Sequence, residues 1–255
     1  MATGRSDNAF VIIGAGHMGA ALADGLVRSG IRRSAVTLID KGDSLSPVVK
    51  ARFVFLAVKP SVVPEALLGI RHLLSGKVLV SVAAGVPIAA LRKNLDAGTA
   101  VARIMPNIPV AVGEGVIGFF GAGISAGHRA LLMKALSGLG LVIEAKKEKD
   151  LDVLTLVSGC GPGVVSYLIG AVAAYAKKLG LSEKESKAVS LQTFKGTLAY
   201  LLHARVAPSE LAASVATKGG VTEAILSTLD ANGFRKDFER AMGAGAGKLG
   251  LKARR

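Results

Sequence analysis

The feature that most constrains this fold is a short apolar segment that ends in a glycine-rich turn. Phe10-Val11-Ile12-Ile13 is followed by Gly14-Ala15-Gly16-His17-Met18-Gly19, and small and apolar residues then continue at helical spacing to Arg28. Four consecutive apolar residues are typical of a parallel strand that is buried on both faces. A strand, a G-x-G-x-x-G turn and a helix in this order predict the first βαβ unit of a dinucleotide-binding domain.

Each glycine of this turn has its own expected role toward a dinucleotide. Gly14 permits the tight turn, Gly16 lets the backbone approach a pyrophosphate, and Gly19 lets the helix pack closely on the strand. His17 and Met18 open the helix, and free amides at a helix N-terminus favour phosphate. We therefore expect these five residues to bind the cofactor phosphates.

The end of the second predicted strand, Val36–Ile39, leaves the choice of cofactor open. Asp40 follows that strand and would accept a hydrogen bond from a ribose 2′-hydroxyl, which favours NAD. Lys41 stands beside it and would meet a 2′-phosphate, which favours NADP. The predicted cofactor is therefore NADPH or NADH.

The rest of the chain predicts two domains. Strand and helix patterns alternate up to the charged run Lys146-Lys147-Glu148-Lys149-Asp150, and only helical patterns follow it. Alternating elements predict right-handed βαβ units and a mostly parallel sheet. We expect a Rossmann-type α/β domain over residues 1–146 and an all-α domain over residues 147–255. The further strands are predicted at Phe53–Val58, Val78–Val82, Ala102–Ile104, Gly115–Phe120 and Leu141–Ala145.

Composition argues against several other classes of protein. The chain has one Cys and four scattered His among 255 residues, so we expect no disulfide framework and no metal site. Its net charge of +14 is spread along the chain and aromatic residues make up only 4%, which argues against a nucleic-acid partner. The apolar run Val164–Ala176 is shorter than the roughly 20 residues that span a bilayer, so we expect no membrane span and a cytoplasmic protein.

Further motifs make a family resemblance specific. The chain resembles the Δ1-pyrroline-5-carboxylate reductase family, in the family's order and over nearly its whole length. The motifs that carry the resemblance are Ile13–Met18, Leu56-Ala57-Val58-Lys59-Pro60, Val82–Val86, Arg103-Ile104-Met105-Pro106-Asn107-Ile108-Pro109, Gly113–Val116, Leu156–Pro162, Lys218-Gly219-Gly220-Val221-Thr222 and Gly233-Phe234-Arg235. The segment around Met-Pro-Asn and the late Gly-Gly-x-Thr are much more specific than the phosphate fingerprint.

The resemblance implies reduction of 1-pyrroline-5-carboxylate to L-proline by hydride transfer from NAD(P)H. It places the nicotinamide and its ribose among residues that follow two strands, where an open α/β sheet binds ligands. The resemblance implies this role for Val58, Lys59, Pro60 and Asn107, and Ala57, Met105 and Pro106 are further candidate cofactor-binding residues. Pro60 and Pro106 can equally serve only to start a turn or helix.

The same resemblance implies a substrate loop and a dimer. The loop Thr217–Thr222 binds the substrate carboxylate through Thr217, Gly219, Gly220, Val221 and Thr222. The Thr222 hydroxyl bonds the ring nitrogen and is the candidate catalytic group, although Thr222 can also be only an N-cap. The C-terminal helices interlock two subunits, which places the substrate loop at the dimer interface, and rings of dimers occur in the family.

Several positions depart from the family pattern. Only Lys41–Arg52 joins the second strand to the third, where relatives have a further helix and strand, so the adenosine side is shortened. His17, Ile108, Cys160, Lys218 and Arg205 replace the family's usual residues; we expect Arg205 to face solvent and leave Lys218 open. Two alternatives follow: a reductase of another cyclic imine, and a non-catalytic NAD(P)-binding paralogue.

Overall fold

The computed structural model describes residues 10–252 of the chain, and it divides into two compact units between Pro162 and Gly163. This division falls after the predicted boundary at residue 146. The reason is that residues just after that boundary bond to the sheet of the first unit: Glu148 pairs with Arg103, and the Ser158 carbonyl accepts a hydrogen bond from Asn107.

The first unit is built on one seven-stranded sheet. In chain order its strands are β1 (Phe10–Ile13), β2 (Val36–Ile39), β3 (Phe53–Leu56), β4 (Val78–Ser81), β5 (Ala100–Pro106), β6 (Gly115–Ala122) and β7 (Gly140–Glu144). Their order across the sheet is β2-β1-β3-β4-β5-β6-β7, and only the β5–β6 pair is antiparallel. The mostly parallel sheet of the predicted Rossmann-type domain is therefore confirmed.

Helices flank the sheet and bury both of its faces. They are α1 (His17–Arg28), α2 (Ser46–Lys50), α3 (Val63–Ile70), α4 (Ile88–Arg92), α5 (Ala126–Ser137) and α6 (Asp150–Leu154). Strands β1 and β3 are buried at every position, which explains their continuous apolar sequences. Phe10, Phe53 and Phe55 lie on one face with Leu22 and Leu26 of α1, while Leu67 and Ile70 of α3 pack on the other face.

The shortened segment after β2 has a visible consequence for the sheet. Strand β2 is an edge strand, and only the five-residue helix α2 lies between Lys41 and β3. Pro47 lies in the first turn of that helix, where proline is well tolerated.

The second unit consists of helices, as predicted. They are α7 (Gly161–Lys178), α8 (Glu183–Ala204), α9 (Pro208–Val215), α10 (Val221–Ala231) and α11 (Phe234–Lys248). Helix α8 begins with a capping box between Ser182 and Glu185. The Ser182 hydroxyl, and after it the Ser182 backbone amide, lower the pKa of Glu185 by hydrogen bonding to its carboxylate.

One helical stretch is longer than the sequence indicated. Residues 150–178 form a 29-residue stretch of α6, a π-helical turn at Thr155–Gly159, a bend at Cys160 and α7, with a mean hydropathy of 1.6 in its most apolar window. By length and composition this stretch could cross a membrane, and none of that window is buried within the chain. Among the described residues of the second unit, only Ser186 and Ser190 are buried. The helical surfaces of this unit are therefore left open in a single chain.

Candidate functional site

The predicted cofactor residues of the first unit gather at one edge of the sheet. Strands β1, β3, β4 and β5 are parallel neighbours, so the turns that follow them lie at the same edge. The chain moves from β1 to β2 on one side and to β3 on the other. This reversal is the topological switch point at which open α/β sheets bind ligands.

The turns after β1 and β3 touch at this switch point. Gly14 has a φ of +107°, and a Cβ there would lie 2.8 Å from the Ala57 carbonyl carbon and 3.1 Å from the Val58 side chain. The Ala57 amide donates to the Ile13 carbonyl at 2.8 Å, which holds the second turn beside the first. The structure thus brings Gly14, Ala57 and Val58 together, while Lys59 and Pro60 follow at the exposed rim.

The start of α1 fits a bound pyrophosphate. Gly16 is the N-cap residue, no side chain caps the helix, and a Cβ on Gly16 would meet nothing within 4 Å. Gly19, one turn later, lies against the Gly14 carbonyl. The space beside Gly16 and the uncapped amides of His17 and Met18 match the anion-binding helix terminus of a dinucleotide site.

Asp40 and Lys41 lie in a tight exposed turn at the end of β2. The Asp40 carboxylate accepts a hydrogen bond from the Lys41 amide at 2.8 Å, and the Asp43 carboxylate accepts one from the Asp40 amide at 2.8 Å. The backbone donors of this turn are therefore used by the protein's own carboxylates. Because Asp40 and Asp43 lie beside Lys41 in this turn, the geometry favours neither NAD nor NADP.

Asn107 proves to be an internal clamp. Its side chain is buried, its Nδ2 donates to the Ser158 carbonyl at 3.0 Å, and its Oδ1 accepts from the Val116 amide at 2.8 Å. It therefore ties the end of β5 to the start of β6 and to the π-helical turn. Met105 and Pro106 precede it in β5 and are also buried. Met105 and Pro106 were predicted to follow the strand, but β5 extends through them, and their role toward a cofactor stays a prediction. The two hydrogen bonds of the Asn107 side chain could not be predicted from the sequence.

A partly buried ion pair lies in the middle of β5, and sequence reasoning missed it. Arg103 is 5% exposed, and its guanidinium bonds the Glu148 carboxylate at 2.7 Å. The same carboxylate oxygen accepts from the Ile88 amide at the start of α4, also at 2.7 Å. Glu148 thus joins three segments of the first unit. The only available signal was an arginine within an otherwise apolar strand.

The predicted substrate residues form a loop of the second unit that opens α10. The Gly220 amide donates to the Thr217 carbonyl at 2.8 Å, Gly219 has a φ of +75°, and Gly220 is the N-cap of the helix. Thr222 is the second residue of α10 and is partly exposed. The Gly219 amide, however, already donates to the Glu223 carboxylate at 2.6 Å.

Two other findings bear on the predicted site. Surface cavities of about 330 and 400 Å³ open near Phe10 and Ala35, and near Lys77 and Ala100, at the amino ends of the strands. Neither cavity contains any of the predicted site residues. Within residues 10–252, no group of three His, Cys, Asp or Glu is placed to hold a metal ion.

The sheet, the switch point and the uncapped glycine turn are those of a Rossmann-type dinucleotide-binding protein. A family described as NADP oxidoreductase, coenzyme F420-dependent, matches residues 9–85, and one described as pyrroline-5-carboxylate reductase dimerisation matches residues 148–249. Pyrroline-5-carboxylate reductase of Pseudomonas aeruginosa is 32% identical over 91% of this chain and 92% of its own. The chain belongs to the pyrroline-5-carboxylate reductase family.

Other relatives agree. Pyrroline-5-carboxylate reductase 3 of Danio rerio is 34% identical over 88% of this chain and 84% of its own. The crystal structure of Plasmodium falciparum pyrroline carboxylate reductase with NADP bound has a TM-score of 0.88 and 27% identity, over 96% of this chain and 98% of the other. The expected family, reaction and nicotinamide cofactor are confirmed by these matches.

Proposed function

We propose that this chain reduces 1-pyrroline-5-carboxylate to L-proline with NADPH or NADH. The observations that carry the proposal are that the similarity to a pyrroline-5-carboxylate reductase spans 91% of the chain, and that the two family matches, over residues 9–85 and 148–249, contain the dinucleotide turn and the loop before α10. A relative that shared only the dinucleotide-binding half would support no particular substrate.

The first unit binds the cofactor in this proposal. Bound NAD(P)H supplies the hydride that the imine carbon receives. The backbone amides of the α1 N-terminus, at His17, Met18 and Gly19, hold the pyrophosphate, with Gly14 and Gly16 leaving room for it. Asp40 and Lys41 face the adenosine ribose. The rim after β3 and the end of β5 surround the nicotinamide through Ala57, Val58, Lys59, Pro60, Met105, Pro106 and Asn107.

The loop before α10 binds the substrate in this proposal. Its backbone amides and the positive end of the helix dipole favour the substrate carboxylate. The binding residues are Thr217, Gly219, Gly220, Val221 and Thr222. Gly219 and Gly220 shape the turn, since their amides donate to Glu223 and Thr217, and the amides at the start of α10 bind the carboxylate. The Thr222 hydroxyl donates a hydrogen bond to the ring nitrogen and delivers the proton that this nitrogen gains when the carbon gains the hydride. Solvent can then return a proton to the hydroxyl, so no strong general acid is needed.

We also propose that the chain works as a cytoplasmic homodimer with no nucleic-acid or membrane partner. Large apolar side chains of the second unit are exposed in a single chain, among them Tyr167 at 79% and Leu202 at 80%. An apolar surface of this kind is typical of an obligate interface. The match of residues 148–249 to a dimerisation family supports the same partner. A ring of dimers stays a prediction.

Turnover by the purified protein tests the reaction. Loss of nicotinamide absorbance is followed with 1-pyrroline-5-carboxylate, with either NADH or NADPH, and the ratio of kcat/KM for the two cofactors shows the cofactor preference that Asp40 and Lys41 leave open. Turnover with another cyclic imine but not with 1-pyrroline-5-carboxylate would show that the other imine is the substrate. Tight cofactor binding with no turnover of any imine would favour a non-catalytic paralogue.

Thr222 can be tested in the same assay. We expect Thr222→Val to lower kcat about 100-fold, the lower end of what positioned proton transfer contributes. Thr222→Ser keeps the hydroxyl and should retain most of kcat. If the valine variant turned over as fast as the parent, Thr222 would be only a residue of the helix start.

A further inference from the structure

A carboxylate of the protein closes the proposed substrate loop. Glu223 is the third residue of α10, and its Oε2 accepts the Gly219 amide at 2.6 Å. A glutamate at this position of a helix commonly reaches back to the amides that precede the helix. Here that amide belongs to a glycine of the loop that binds the substrate carboxylate in the proposed function.

The turn within the loop has a conformation that proline ordinarily stabilises. The Gly220 amide bonds the Thr217 carbonyl, Gly219 has a positive φ, and Lys218 does not, a pattern that defines a type II turn. Proline is favoured at the second position of such a turn because its ring fixes φ. Lys218 occupies that position, so nothing in its own covalent structure restrains φ at this point of the loop.

We infer that Glu223 is a positioning residue. Its bond to Gly219 holds the substrate loop in the turn conformation that a proline at the position of Lys218 would otherwise stabilise. Its bond to Gly219 fixes the residue that follows Lys218 and so keeps the turn closed before substrate arrives. It also occupies the Gly219 amide, which directs the substrate carboxylate toward the remaining amides at the start of α10. Preorganisation of a loop lowers the ordering cost that binding would otherwise include.

The inference rests on the proposed function. Rescue by proline distinguishes a loss of loop positioning in Glu223→Ala from a general loss of stability. We expect Glu223→Ala to raise KM for 1-pyrroline-5-carboxylate about fivefold, the effect of one lost hydrogen bond, with little change in kcat. Glu223→Gln keeps an acceptor oxygen and should keep KM near that of the parent. Lys218→Pro combined with Glu223→Ala should restore KM, because proline fixes the same turn.

A matched control uses the neighbouring helix. Glu210 is the third residue of α9 and accepts the Ala207 amide at 3.4 Å, so Glu210→Ala removes the same kind of contact outside the loop. Its KM should not change. Equal KM increases for Glu210→Ala and Glu223→Ala, or failure of Lys218→Pro to rescue, would overturn the inference.

Hydrogen exchange of the Gly219 amide in the free protein gives a readout independent of turnover. Exchange should be faster in Glu223→Ala and slow again in Glu223→Gln. Absence of turnover by the parent protein would contradict the proposed reaction and would not affect this exchange result. Unchanged exchange in Glu223→Ala would show that the Glu223 carboxylate does not hold the Gly219 amide.

Discussion

At the residue scale, the three glycines of the first turn serve different physical ends. A Cβ on Gly19 would meet the Gly14 carbonyl, so this glycine is required by the packing of α1 on β1. A Cβ on Gly16 would meet nothing, so this glycine is not required by the protein's own structure. The space that Gly16 leaves is consistent with a ligand that must approach the backbone.

This difference predicts opposite outcomes for two substitutions. Gly16→Val should weaken NADH binding by at least about tenfold, equivalent to about 1.4 kcal/mol, because its side chain fills the phosphate space. Its Tm should fall by less than about 4 °C, since only the N-cap changes. Gly19→Ala should instead reduce the free energy of unfolding by about 1–3 kcal/mol through overpacking.

Thermal unfolding and fluorescence titration with NADH measure both quantities on each variant. Tight NADH binding by Gly16→Val would show that the turn does not hold the pyrophosphate. A Gly19→Ala protein as stable as the parent would mean that α1 can shift away from β1.

At this scale a contiguous pattern predicts the local structure around a residue, while the role of that residue toward cofactor or substrate stays a prediction. The glycine turn, Asp40 and the Gly-Gly-x-Thr loop are each contiguous, and the structure places them as a turn, a strand end and a helix start. The partners of Asn107 and Glu223 were not predicted. Asn107 bonds residues 9 and 51 positions away, and no local pattern specifies such partners.

At the element scale, Glu148 connects the start of the family's dimerisation segment to the sheet. It neutralises Arg103, which lies inside β5, and accepts the first amide of α4. Removal of the carboxylate would leave a buried guanidinium and a backbone amide without this partner. Breaking a buried pair in this way is costly because the remaining charge stays out of water.

We therefore expect Glu148→Ala to reduce the free energy of unfolding by about 3–5 kcal/mol. Glu144→Ala is the matched control, because Glu144 pairs with Arg129 on the surface, where both side chains are at least 41% exposed. An exposed pair contributes at most about 1 kcal/mol. Urea denaturation measures both variants, and equal losses would contradict the special role assigned to Glu148.

At the scale of the whole molecule, the two halves of the chain differ in how they bury apolar surface. The first unit has buried clusters on both faces of its sheet, whereas the described helices of the second unit bury only two serines. The sequence predicted helices there, and the family resemblance implied a second copy of the chain as the partner. The contacts with that partner depend on a second chain, so no pattern within one sequence specifies them.

A homodimer predicts that stability depends on protein concentration. Each tenfold increase in concentration should add about 1.4 kcal/mol to the apparent stability of a chain that folds only as a dimer. Urea midpoints at two concentrations, together with the mass in solution from light scattering, check this expectation. A midpoint independent of concentration, with the mass of one chain, would contradict the homodimer.

The order of strands in the first unit also bears on how the chain folds during synthesis. After β1 and β2 have paired, β3 adds on the other side of β1. Each later strand, from β4 to β7, then adds beside the strand synthesised immediately before it. A growing sheet of this kind needs no strand to be inserted between two earlier ones. Domains fold from the N-terminus as they leave the ribosome. The dinucleotide edge, which is complete once the first unit has folded, can therefore form before the helices of the second unit have been translated.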